Sequence, residues 1–161
     1  MNIRRISGFR AGALFAVALG LVAGACDNPV DPGEHGHHPH AEAVVVRLDG
    51  EILATAEGTD GNPETRNSTG SIEVPAGGIV GLLEIEFVDH DGHALDLDDD
   101  DASLGVIVDD ETVATFDPDP KGGFAGRVHG HTAGSTTISF ILMHGDHAEF
   151  TTEPIVIDVL E

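Results

Sequence analysis

Three groups of residues are scarce in this 161-residue chain, and each scarcity excludes a class of structure or function. Cys26 is the single cysteine, so no disulfide can form within the chain and a folded domain must be held by its apolar core. Tryptophan and tyrosine are absent, which excludes the antibody type of core, built on a Trp packed against a disulfide. Only 7 lysines and arginines accompany 29 acidic residues. Because Lys and Arg make the phosphate contacts, nucleic-acid binding is excluded.

The first 25 residues differ from the rest of the chain. Three arginines precede an apolar stretch that is too short for a transmembrane span and has the layout of a secretory signal. The segment Leu21-Val22-Ala23-Gly24-Ala25-Cys26 resembles the lipobox of bacterial lipoproteins, although Ala23 stands where that family more often has Leu. The resemblance implies export, lipidation of Cys26, and anchoring in a bilayer on the side of the periplasm or the cell surface. The alternative is an ordinary cleaved signal followed by an unmodified cysteine.

Cleavage before Cys26 divides the chain into three parts: a signal peptide (1–25), a lipidated Cys with a His- and Pro-rich tether (26–41), and a domain (42–161). The tether has almost no apolar residues, so it cannot offset the entropy of ordering and is predicted to be flexible. All 29 acidic residues and four of the seven basic ones follow the cleavage, which leaves 4 − 29 = −25 formal charges. This charge makes divalent cations the natural small partners.

Beyond residue 42 the pattern is that of β-strands separated by turns. Asp49-Gly50 is the dipeptide typical of a two-residue hairpin turn, and Leu83, Ile85 and Phe87 alternate with glutamates, as in a strand with one buried face. No helical period is found beyond the signal. The sequence therefore predicts an all-β sandwich. Its predicted strands are 43–48, 51–56, 71–74, 79–88, 104–108, 112–116, 124–132, 136–143 and 155–160.

Four segments of the predicted domain carry a family resemblance. Residues 111–117, 126–130 and 133–138 resemble the second half of bacterial group 2 immunoglobulin-like domains, and Phe87-Val88-Asp89-His90-Asp91-Gly92 resembles the strand and turn in the middle of such domains. The resemblance covers about 82–140 and implies an immunoglobulin-like sandwich of the kind used as surface adhesion modules and spacers, with no catalytic residues. The expected core consists of aliphatic residues and five phenylalanines. Val128, Ile138, Phe140 and Leu142 are expected to point inward, and Gly130 and Gly134 to permit a tight turn. The phenylalanines are Phe87, Phe116, Phe124, Phe140 and Phe150.

The ten histidines are grouped, and their paired imidazoles indicate that the chain binds Zn²⁺ or Cu²⁺. The preferred ligands are His129 and His131 on one strand, on its outer face, together with His144 and His147 around a turn. One four-histidine site and two separate pairs are both left open by the sequence. The second-choice pair is His90 with His93, beside an acidic run that suits Ca²⁺ only weakly. The tether adds His35, His37, His38 and His40, which bind metal by composition alone.

Signatures of catalysis are absent from the chain: there is no G-x-S-x-G, no H-E-x-x-H and no Gly-rich phosphate loop. Two functions follow as hypotheses. The first is a membrane-anchored lipoprotein whose domain binds a divalent transition metal through its paired histidines. The second is a structural or adhesion module with solvated histidines and a protein or glycan partner that the sequence does not name. Under neither hypothesis is the chain an enzyme.

Overall fold

The computed structural model describes residues 40–59, 67–97 and 101–161. The predicted signal peptide, Cys26 and most of the tether lie outside the described residues. Ten β-strands and no helix are found in the described part of the chain, so the predicted all-β fold is confirmed. The strands are β1 (Ala43–Leu48), β2 (Glu51–Glu57), β3 (Ser68–Pro75), β4 (Ile79–Val88), β5 (Ala102–Val108), β6 (Ala114–Pro118), β7 (Ala125–Gly130), β8 (Gly134–His144), β9 (His147–Thr151) and β10 (Ile155–Leu160).

The strands form one continuous path that folds into two layers around a single core. Their order is β5-β8-β10-β3-β2-β1-β4-β7-β6, and β9 also pairs with β8. The first layer holds β1, β2, β4, β6 and β7, and the second holds β5, β8, β9 and β10. β5 and β6, at the two ends of the path, follow each other in the chain, so the sheet closes nearly into a barrel.

β3 connects the two layers. Residues Ser68 to Gly70 pair with β2 in the first layer, whereas Ser71 to Pro75 run parallel to β10 in the second. The sequence predicts only the apolar second half of this strand, 71–74. Its first half, Ser-Thr-Gly, is exposed and carries no apolar alternation, so the sequence pattern does not predict it as a strand. A strand that changes sheets in this way makes a corner of the sandwich.

Away from β3, the structure confirms one local expectation and departs from three others. The hairpin turn at Asp49-Gly50 is confirmed, with φ angles of 51° and 83° that a type I′ turn requires. β6 starts at Ala114 instead of 112, because the side chain of Asp110 organises a turn over 110–113. β9 was not predicted at all, since Phe150 is its only buried apolar residue. β7 and β8 lie in different layers, so Gly130 and Gly134 bound a crossing between layers and do not form a hairpin turn.

The core lies between the layers and uses the residues whose alternation points inward. Val128, Ile138 and Phe140 are fully buried and Leu142 is nearly so, which confirms their predicted orientation. Phe87 and Phe150 are also buried, whereas Phe116 and Phe124 are half-buried and pack against the core. Their rings form three edge-to-face contacts, 87–124, 87–150 and 116–140, with centroids 5.6–5.9 Å apart. Burying each such ring contributes roughly 1.5–3 kcal/mol.

The turn between β5 and β6 predicts a pH dependence of stability. The Thr112 hydroxyl donates to Oδ1 of Asp110 over 2.6 Å and the Thr112 N–H over 2.9 Å, and these bonds lower the pKa of Asp110. A lowered native pKa adds stability at neutral pH that is lost as the pH falls through that pKa. In Asp110→Asn, which keeps the acceptor oxygen, we expect a stability deficit that is constant above about pH 5 and shrinks below about pH 4. Urea unfolding from pH 2 to 7 measures it, and a deficit that does not change with pH contradicts it.

Candidate functional site

His129 lies on β7, on the outer face of the first layer as predicted, and His131 follows the last residue of that strand. Val128 is fully buried, and the side chain of His129 beside it is 28% exposed. Nε2 of His129 lies 2.9 Å from Oδ2 of Asp117, and Nε2 of His131 lies 2.9 Å from Oγ1 of Thr115. Both partners belong to β6, which is paired to β7. The two rings are therefore directed toward β6 by contacts that a shared metal ion would have to replace.

His144 and His147 close the hairpin between β8 and β9. They are direct partners in the strand register, separated by the two-residue turn Gly145-Asp146. Gly145 has a φ of 56°. Glycine is favoured at the first central position of a type II′ turn because that position requires a positive φ. Its N–H donates to the carbonyl oxygen of Asp101 over 2.8 Å, which fixes the turn to the start of β5. The side chains of His144 and His147 are therefore attached at directly opposed backbone positions.

The second-choice pair lies in the turn that follows β4. Oδ1 of Asp89 accepts the N–H groups of Asp91 and His93, both over 2.9 Å. These bonds, that from the His93 N–H first, lower the pKa of Asp89. Nε2 of His90 is 3.1 Å from Oδ2 of Asp91, and Nδ1 of His93 is 3.7 Å from Oδ1 of Asp89. Both rings are well exposed and each lies near a different carboxylate, so the turn does not bring them to one point.

The structure separates the two preferred pairs. His131 lies three residues before β8 and His144 is the last residue of that strand, whose 11 residues span about 30 Å at 3.3 Å per residue, so the two pairs lie toward opposite ends of β8. Across the described ranges, no group of three or more His, Cys, Asp or Glu side chains is arranged to hold a metal ion. A single four-histidine site is therefore not formed. Of the tether histidines, His40 is exposed and the other three lie outside the described residues.

A feature that the sequence analysis missed is an uncharged strip on the outer face of the second layer. Register pairs Ser103 with Met143, Gly105 with Ile141, and Ile107 with Ser139. These residues alternate with the buried ones, so all six face outward, and Ile107 is 56% exposed. The strip continues onto β10, where the 37% exposed Val156 is paired with Thr137.

Gly105 gives this strip its shape. A Cβ at this position would lie only 3.1 Å from Cβ of Ile141 and 3.3 Å from Cγ of Met143. The absence of a side chain lets both apolar side chains lie across β5. The corresponding surface of the first layer is charged, with Nε of Arg47 bonded to Oε2 of Glu86 over 3.1 Å. Alternation within β8 was the available sequence signal, but its pairing with β5 was not predictable.

The fold and surface define an all-β domain of two layers. No protein-family model matches the chain. No curated protein matches it either. Among solved structures it is similar to domains 4 and 5 of the S-layer protein SbsC, with 18% sequence identity and a TM-score of 0.42. The alignment covers 58% of this chain and 49% of that one, so the chain matches about half of the solved protein. This similarity assigns no function.

The described residues contain no helix long and apolar enough to cross a membrane.

Proposed function

We propose that the chain is an exported lipoprotein, anchored through Cys26, whose immunoglobulin-like domain is a non-catalytic structural and adhesion module. The uncharged strip on β5 and β8 is the observation that carries this proposal. Charged residues are depleted at the centre of protein interfaces, and exposed apolar patches mark interaction sites. The strip has both properties in a chain with a formal net charge of −22.

The partner on this strip is a second copy of the chain. Two molecules this acidic repel each other at every approach that brings carboxylates together, and the strip is a surface where this repulsion is weakest. Ile107, Ile141 and Met143 supply apolar area for such a contact. A symmetric dimer places the same patch on both sides, which an uncharged apolar patch permits. A basic partner would instead be drawn to the acidic remainder of the surface.

The proposed lipid anchor at Cys26 would hold neighbouring copies of the domain at one membrane surface. In this proposal the tether predicted from the sequence, residues 26–41, gives the domain a reach of about 20 Å from the bilayer. Confinement to a membrane also raises the effective concentration of neighbouring copies, so a weak contact between domains is sufficient for association.

Placing a charge on the strip is expected to abolish association. In Ile107→Asp, each copy would bury a carboxylate against the other, and we expect the dimer to weaken at least tenfold in sedimentation velocity. Ile52 is the matched control, because it is 52% exposed on the outer face of the first layer. Ile52→Asp adds the same charge and is expected to leave association unchanged. Equal sedimentation of the two variants and the unsubstituted chain would refute the assignment of the strip. A Cys26→Ser background prevents lipidation and micelle formation in all samples.

A further inference from the structure

The hairpin between β8 and β9 places two histidines in directly opposed positions. Opposed residues on paired strands have Cβ atoms about 4.5–5.5 Å apart, on the same face. His144 and His147 occupy such positions on either side of a two-residue turn. Zn–N bonds of about 2.0–2.1 Å in a tetrahedral site require ring nitrogens roughly 3.3 Å apart, which two imidazoles starting from this separation can reach by side-chain rotation.

A third ligand stands next to the pair. Oε1 of Glu149 lies 3.8 Å from Nδ1 of His144, across an irregularity in the pairing of β8 with β9. Two histidines and one glutamate form a known ligand set for zinc, with water in the fourth position. His147 and Glu149 are exposed and free to change rotamer, and His144 is 43% exposed at the end of the strand. These side chains are accessible, and they would have to move to surround an ion, because no group of three in the described residues is already arranged to hold one.

The other histidine pairs are less suited to share an ion. His129 lies on β7 and His131 just beyond its end, two residues or about 6.6 Å further along an extended chain, and each ring contacts a different residue of β6. His90 and His93 lie in a turn beside separate carboxylates. Only the β8–β9 hairpin, among the pairs in the described residues, sets two rings directly opposite each other with a carboxylate at hand.

We propose that His144, His147 and Glu149 form a binding site for a divalent transition metal, with Zn²⁺ as the reference ion. The site lies at the end of β8, away from the centre of the uncharged strip, so it does not depend on the self-association proposed above. Binding requires neutral imidazoles, because a protonated ring nitrogen cannot coordinate the ion. The acidic surroundings favour a cation at this end of the domain, since Asp146 lies in the turn and the carbonyl oxygen of Asp101 accepts the Gly145 N–H.

Zinc titration of the full chain tests the site. The background carries Cys26→Ser and the replacement of His35, His37, His38 and His40 by Asn, so that the thiol and the tether do not compete for the ion. We expect His144→Asn/His147→Asn to weaken Zn²⁺ binding at least tenfold, and Glu149→Gln to weaken it less. The matched control, His129→Asn/His131→Asn, removes an equal number of imidazoles and is expected to change affinity less than twofold.

A second measurement uses the background chain itself, so its result does not depend on whether the variants fold. In the background chain without further substitution, spectra of the ¹⁵N-labelled imidazole rings with Zn²⁺ should show changes at His144 and His147 first. No zinc binding in the background chain, or ring changes confined to His129 and His131 or to His90 and His93, would overturn the proposal. Thermal unfolding in the presence of chelator confirms that the variants are folded.

Discussion

Replacing Phe87 by alanine is expected to lower the free energy of unfolding by about 3–5 kcal/mol, the range measured when buried aromatic residues are truncated. Phe87 is 1% exposed and its ring meets those of Phe124 and Phe150 edge to face. Truncation removes both contacts and leaves a cavity between the two layers. Domains of this size have a total stability of about 5–15 kcal/mol, so the loss is a large part of it.

The matched control for this change is Phe124→Ala. Phe124 has the same type of ring and contacts Phe87, but it is only half-buried, so its truncation is expected to cost clearly less. Urea unfolding of both variants, with the slope compared to that of the unsubstituted chain, measures the difference. Equal losses in the two variants would mean that Phe87 is not at the centre of the core.

The second large effect is expected from Gly130→Ala, at about 3 kcal/mol. Gly130 ends β7 at a point where the layers meet: a Cβ there would lie 2.6 Å from the carbonyl oxygen of Pro75 and 3.0 Å from Cγ1 of Val159. Its carbonyl accepts the N–H of Gly77, and its N–H donates to the carbonyl of Gly78. An added methyl group must push this bonded backbone aside, since no flexible side chain can move away in its place.

Gly50→Ala is the control for Gly130→Ala, because it changes the backbone preference without crowding a neighbour. Nothing lies within 4 Å of a Cβ built at Gly50, but its φ of 83° is unfavourable for alanine and is expected to cost about 1–2 kcal/mol. Thermal unfolding of the two variants should therefore rank Gly130→Ala as the less stable. The reverse order would contradict the close approach of β7 to the turn after β3.

Much of the strand pattern could be predicted because it depends on neighbouring residues. β1, β4 and β10 have the bounds that alternation and turn dipeptides predict. The first half of β3 and all of β9 were missed, since pairing with distant strands makes them strands and their own side chains supply little apolar signal. β6 was displaced by the side-chain contacts of Asp110, a local effect that periodicity does not include.

The functional surface was less predictable than the fold. The sequence identifies the paired histidines, but only strand register shows that His144 faces His147 while His131 lies at the other end of β8. The uncharged strip depends on the pairing of β5 with β8, two strands separated by β6 and β7 in the chain. Such long-range pairing carries no periodic signal within either strand. The proposed anchor at Cys26, in contrast, is a prediction from sequence alone.

If the uncharged strip joins two copies of this acidic chain, their association must depend on salt. Raising the ionic strength from about 0.01 to 0.1 M shortens the Debye length from about 30 to 10 Å and screens the repulsion between copies. Sedimentation velocity of the Cys26→Ser chain should then show the dimer increasing with salt, and Ile107→Asp should remain monomeric throughout. A chain that is monomeric at every salt concentration, or a dimer that Ile107→Asp leaves intact, would contradict the account.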